Sequence, residues 1–124
     1  MTHKNNNKII SVVHPICCGL DVHKDMVSAC IIITEADGEQ TFVVREFTTF
    51  TDDLYGLKSW LSSHACPVVA MVSTSVYWRP VHNVLEDAVK VVLVNAKHVK
   101  NVPGRKTDIS DSKWLASLLR IGVL

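Results

Sequence analysis

The chain has 124 residues, of which 48% are hydrophobic, 20% charged and 6% aromatic, with a formal net charge of +1. That balance fits one globular domain able to bury a core. Its longest apolar runs, VSACIII and VKVVLV, fall far short of a bilayer span, so neither a transmembrane helix nor a membrane partner is expected.

The first segment, MTHKNNNKIISVVHP, has lysines around an asparagine run but no sustained apolar core before a small-residue cleavage site. It reads as a polar lead-in over residues 1–15 and not as a secretory signal, which makes the default location cytoplasmic. Then ICCGLDV, from Ile16 to Val22, reads as a buried strand carrying one acid, Asp21. His23, Lys24 and Asp25 make a turn. Met26 to Thr34 is β-branched and ends at EADGE, where Asp37-Gly38 signals a hairpin. Gln40 to Thr49 is the returning strand.

At TFTDDLYGLKSWLSSH the period changes to helical, with Leu54, Leu57, Trp60 and Leu61 as the apolar stripe and Thr51 as the expected cap. PVVAMV is a strand buried on both faces. Tyr77 to Ala88 forms a second helix that tolerates Pro80 near its start, and Lys90 to Asn95 is another buried strand. A basic connection containing Pro103 and Gly104 leads to a last helix with Trp114, Leu115, Leu118 and Leu119 on one face. Alternating strands and helices in the second half demand parallel pairing through right-handed crossovers. The order β-β-β-α-β-α-β-α is that of a ribonuclease H-like α/β mixed sheet, with the first strand central and the fourth beside it.

Four cysteines, Cys17, Cys18, Cys30 and Cys66, lie in apolar runs without a C-x-x-C, so buried reduced thiols are expected. His14 with Cys17 and Cys18 lacks a second ligand pair at zinc-finger spacing, so zinc is not expected. Charge is unevenly spread. No acid occurs between Asp87 and Asp108, an interval that holds Lys90, Lys97, His98, Lys100, Arg105 and Lys106. Such a one-sided positive stretch is either a footprint for a polyanion or a solvated loop.

The stretch GRKTDISDSKWLASLL closes that interval. Asp108 and Asp111 stand three apart before the last helix. Acids there favour the positive end of a helix dipole, and the same spacing puts two carboxylates on one face, where they can converge on a hard divalent cation.

Together, GLDVHKD, MVSTSVYWRP and LVNAKHVKNVPGRKTDISDSKWLASLLRIGVL resemble successive landmarks of the N-terminal domain of DEDD transposases from bacterial insertion sequences, the IS-one-hundred-ten type, related to Piv-type DNA invertases. The resemblance covers Ile16 to Leu124, read as one domain over residues 16–124. It implies a ribonuclease H-like fold similar to Holliday-junction resolvases, and four acids that bind divalent metal for phosphodiester chemistry on DNA. Asp21 matches the first acid, and Asp108 and Asp111 the last two, which turns the reading of that pair toward a metal site. At the second acid, where the family has glutamate, this chain has Val72, and the glycine position after it is Ser75.

The resemblance therefore implies weak Mg2+ or Mn2+ binding and impaired catalysis. It also places Lys24, Arg79, Lys97, Lys100, Arg105 and Lys106 along a nucleic-acid backbone, although Arg79 also suits a surface ion pair. Tyr77 and Trp78 suit packing on the sheet more than base stacking. The implied partners are DNA, a structured guide RNA and further copies of the chain. The family continues into a serine-bearing C-terminal domain, so a catalytic-domain fragment is expected; the alternative is a catalytically dead remnant that binds nucleic acid or interferes with a transposase. An actin-like ATPase half fits poorly, because Asp21-Val22-His23-Lys24 offers no glycine or hydroxyl for phosphates.

Overall fold

The computed structural model describes residues 11–105 and 109–124. Its elements are β1 (Ile16–Val22), β2 (Met26–Thr34), β3 (Gln40–Thr48), α1 (Thr51–Ser63), β4 (Val68–Ser73), α2 (Trp78–Leu85), β5 (Lys90–Leu93), α3 (Ala96–Asn101) and α4 (Asp111–Arg120). The five strands form one mixed sheet in the order β3-β2-β1-β4-β5. β1 is central, antiparallel to β2 and parallel to β4, and β4 is parallel to β5.

Alternation along the strands sorts their side chains onto two faces. Cys18, Leu20 and Val22 of β1, with Ala29, Ile31, Val69 and Met71, pack against Leu54, Leu57, Trp60 and Leu61 of α1 and Val81 and Leu85 of α2. The other face carries Cys17, Gly19 and Asp21 and is covered by α4. Gly19 is the reason α4 lies so close. A Cβ at that position would run into the Ser112 carbonyl oxygen and would stand 2.7 Å from the Ala116 nitrogen. A residue without a side chain lets the helix backbone rest on the strand. Ser112, buried at the same contact, sets its hydroxyl 3.4 Å from that of Ser28.

β3 is an edge strand, and its side chains Phe42 and Val44 are exposed. The Lys113 ammonium stands 4.1 Å above the Phe42 ring.

The expected hairpin joins β2 and β3 antiparallel, and in its loop Glu35 N donates to Glu39 O, with Gly38 at φ +90° and the Asp37 carboxylate accepting from Glu39 N. Other local expectations change. Thr51 does not cap α1. It is already inside the helix, the capping position is Phe50, and the first-turn acid Asp53 instead accepts from Thr48 N and Oγ1 at 2.9 and 2.6 Å. α2 stops at Leu85, short of Ala88, with turns following. β5 stops at Leu93, because Asn95 turns out of the strand and accepts from Lys97 N at 2.8 Å, capping α3. That short helix stands in the basic connection and adds one element to the expected order. Val99 anchors it among Trp114, Leu115 and Leu118, and Trp114 Nε1 donates to Val99 O at 3.2 Å.

The four cysteines are free and buried. Tyr77 and Trp78 are half-buried against the α1–α2 core, the packing role expected of them. Among the described residues no helix is long and apolar enough to cross a membrane.

Candidate functional site

The parallel strands β1, β4 and β5 end at one edge of the sheet, and the site lies there. Asp21 is the penultimate residue of β1 and pairs in register with Val72 of β4. Both belong to the α4 face by alternation. Ser110 caps α4 by accepting from Lys113 N at 3.3 Å, which makes Asp111 the first helical residue. The close seat of α4 on Gly19 brings Asp111 to Asp21, and the two line a cleft of about 220 Å³ with His23, Val72, Thr74 and Lys100. Asp108 and Lys106 lie outside the described residues.

Asp21 is only 16% exposed. Burial raises its pKa above the ordinary carboxylate value; the hydrogen bond and charge of His23 oppose this, and the negative charge of Asp111 adds to it. His23 Nε2 lies 3.1 Å from Asp21 Oδ2, and His23 Nδ1 lies 3.3 Å from Thr74 Oγ1. Asp111 has a different partner: Arg105 Nη2 donates to its Oδ1 at 2.5 Å and to Ile109 O at 3.0 Å. Among the described residues, no three His, Cys, Asp or Glu side chains stand grouped at metal-binding spacing.

Val72 is half-buried and packs with the apolar cluster of Val99, Trp114, Leu115 and Leu118 that joins α3 to α4. It helps seat the helix that carries Lys97 and Lys100. Ser75, just beyond β4, has φ +53°, a left-handed conformation that glycine enters without strain.

The basic residues fall into two groups. Lys100 and Arg105 line the cleft. Lys24 is exposed in the β1–β2 turn at the same edge, where its carbonyl accepts from Thr49 Oγ1 at 2.9 Å. Lys97 is exposed on the first turn of α3. Arg79 is exposed, its guanidinium 5.6 Å from the Trp78 ring centroid. Lys90 opens β5 at the opposite edge. Sequence reasoning missed His23 and Thr74, because a turn histidine and a loop threonine carry no periodicity; the one available signal was the D-V-H spacing, which returns His23 to the side of Asp21.

Among solved structures, the chain is similar to RuvC from T. thermophilus, solved in complex with a Holliday junction substrate. The identity is 12% and the TM-score 0.56, over 88% of this chain and 97% of that one. It also matches the fowlpox virus Holliday junction resolvase at 13% identity and TM-score 0.49, over 64% of this chain and 60% of that one. A Ppx/GppA family member from Aquifex aeolicus matches at 14% identity and TM-score 0.44, over 68% of this chain and 36% of that one. The chain thus spans less than two thirds of the length of those last two structures. With its central β1, parallel β4 and α4 across one face, the protein is a ribonuclease H-like α/β domain of the RuvC type. The family model of IS110-type DEDD transposases, described as Transposase, matches residues 18–124. The chain belongs to that family. No curated protein matches its sequence.

Proposed function

We propose that this domain, over residues 16–124, binds DNA and acts on its phosphodiester bonds with a divalent metal held by Asp21 and Asp111, together with Asp108 on the strength of the motif. One observation carries the reading: carboxylates from the end of β1 and the start of α4 line one cleft beside Lys100 and Arg105. Carboxylate oxygens are the donors that Mg2+ and Mn2+ take. A cation there would relieve the burial and like-charge repulsion that raise the Asp21 pKa. When bound, such an ion polarises a phosphoryl oxygen and offsets developing charge. The chain's own residues hold and orient it, while Lys24, Arg79, Lys97, Lys100, Arg105 and Lys106 steer the phosphate backbone of DNA or of a structured RNA.

Val72 beside Asp21 donates nothing, so one weakly held ion is expected and not a two-metal pair. Calorimetry of Mn2+ binding tests this. Asp21→Asn and Asp111→Asn should each abolish measurable binding, and Val72→Glu should tighten it; unchanged binding in Asp21→Asn would sink the reading. For DNA, changing Lys100, Arg105 and Lys106 to alanine should lower the salt slope by about 0.7 to 0.9 for each phosphate they neutralise.

A second reading is a domain that binds nucleic acid, or interferes with an intact transposase, without cleaving. Val72 in its apolar cluster and Arg105 on Asp111 favour it. Salt-dependent DNA binding that ignores Mn2+ altogether would select it.

A further inference from the structure

We propose that two copies of this chain pair β3 to β3, antiparallel about Val44, and so join their sheets into one. The pairing needs neither the metal nor the nucleic acid of the reading above.

The backbone comes first. In an antiparallel ladder alternate residues exchange hydrogen bonds with the neighbouring strand, and those between them turn N–H and C=O the other way. Glu35 N donates to Glu39 O just beyond the β2–β3 ladder, which fixes the phase. Thr41, Val43, Arg45 and Phe47 therefore bond to β2, while Phe42, Val44, Glu46 and Thr48 turn their backbone groups to the outer edge. Thr48 N accordingly has its acceptor outside the sheet, on Asp53 at 2.9 Å. No strand meets the other three among the described residues. The β2–β3 register runs unbroken along all nine residues of β3, which include no proline. Neither a bulge nor a missing N–H blunts this edge against a further strand.

The side chains come second. Phe42, Val44 and Glu46 oppose Ile32, Cys30 and Ser28 of β2, on the face that carries α4. Phe42 and Val44 are 39% and 61% exposed there. A two-fold axis through Val44, normal to the sheet, sets the two Val44 side chains next to each other and Phe42 opposite Glu46 of the second copy. Lys113 stands 4.1 Å above the Phe42 ring, so its ammonium meets that carboxylate across the junction, twice by symmetry. Other centrings lose this match. An axis through Arg45 puts two guanidiniums opposite each other, one through Phe42 brings the two Lys113 ammoniums together, and one through Val43 sets Glu46 against uncharged Gln40. Charge thus selects the register.

A single strand-to-strand junction belongs among the smaller interfaces, below about 1,200 Å², so the dimer is weak and forms as concentration rises. The test is sedimentation of the 124-residue chain up to about 1 mM, without metal or nucleic acid, with amide hydrogen exchange read in parallel. The parent should pass from monomer to dimer, and the Val44 amide should gain protection as it does so. Val44→Pro removes an outward N–H and no bond to β2, a change that edge strands tolerate, and should abolish the dimer while circular dichroism stays that of the parent. Glu46→Lys should weaken dimerisation at least about tenfold by setting like charges together, and adding Lys113→Glu should restore it. A dimer that either single variant leaves unweakened overturns the proposal. So does a chain that stays monomeric up to about 1 mM, or a monomer whose Val44 amide is already protected, because the edge would then be covered by a segment of its own chain.

Discussion

Burial of Asp21 at the end of β1 pushes its carboxyl pKa up, more than the His23 contact pulls it down, and the charge of Asp111 pushes it further. The folded chain therefore holds that proton more tightly than the unfolded chain does. Stability falls as pH rises from the ordinary value of 3.8 through the raised folded pKa. Asp21→Asn should accordingly melt a few degrees above the parent at pH 7, a gain of under about 1 kcal/mol, and the gap should close at pH values below the unfolded pKa. A lower melting temperature at pH 7 would show that Asp21 stabilises the fold. Asp53 has the opposite sign, since hydrogen bonds from Thr48 hold its pKa down, so its contribution is present above the unfolded pKa and lost as pH falls through the folded one. Arg105 acts on the site from the other side. Its pair with Asp111 is 30% and 53% exposed, hence worth at most about 1 kcal/mol. A cation bound as proposed would compete with the guanidinium for that carboxylate, so Arg105→Ala should tighten Mn2+ binding by up to about fivefold, and weaker binding would count against competition.

The contact between β1 and α4 decides whether the site exists. Gly19→Ala puts a Cβ against the backbone of Ser112 and Ala116, where no side chain can swing aside. The helix must lift, at a cost of about 2–3 kcal/mol, measured as a lower urea midpoint, and Asp111 should move away from Asp21 so that Mn2+ binding fails before the fold does. A parent-like midpoint would contradict the packing. The elements that sequence made legible are those with a strong period: β1, β2 and β3 fall within a residue of their expected bounds, and α1 and α4 bury the apolar stripes expected of them. α3 was hidden because six residues, AKHVKN, carry a single buried apolar side chain, and its cap Asn95 read equally well as the end of a strand. That Asp21 and Asp111 would share a cleft was legible through the motif, and the register of β1 with β4 places Val72 beside Asp21 as the order implied. The Arg105–Asp111 pair, the His23–Thr74 contact and the role of Gly19 depend on side chains and backbone meeting in space at one edge, which no local pattern encodes.

Across the whole molecule the cysteines report on cooperativity. Cys17 and Cys18 lie in β1, Cys30 in β2 and Cys66 just before β4, and all four are buried. Burial pushes the thiols of Cys17 up to about 12 and of Cys30 and Cys66 up to about 11, and holds Cys18 well above the ordinary value. Neither access nor thiolate is available in the native state. All four should therefore alkylate at one common rate that follows global unfolding and rises in parallel with added urea; a single fast thiol would reveal a strand that opens alone. Among the described residues the outer edge of β3 pairs with no strand. It lies two strands from β1, on the side of the sheet away from β4, and carries exposed Phe42 and Val44, with the Lys113 ammonium standing over the first of them. An added strand from another chain could extend the sheet there without crossing the cleft between β1, β4 and α4. A strand added at that border would therefore leave the cleft lined by Asp21 and Asp111 as open as it stands.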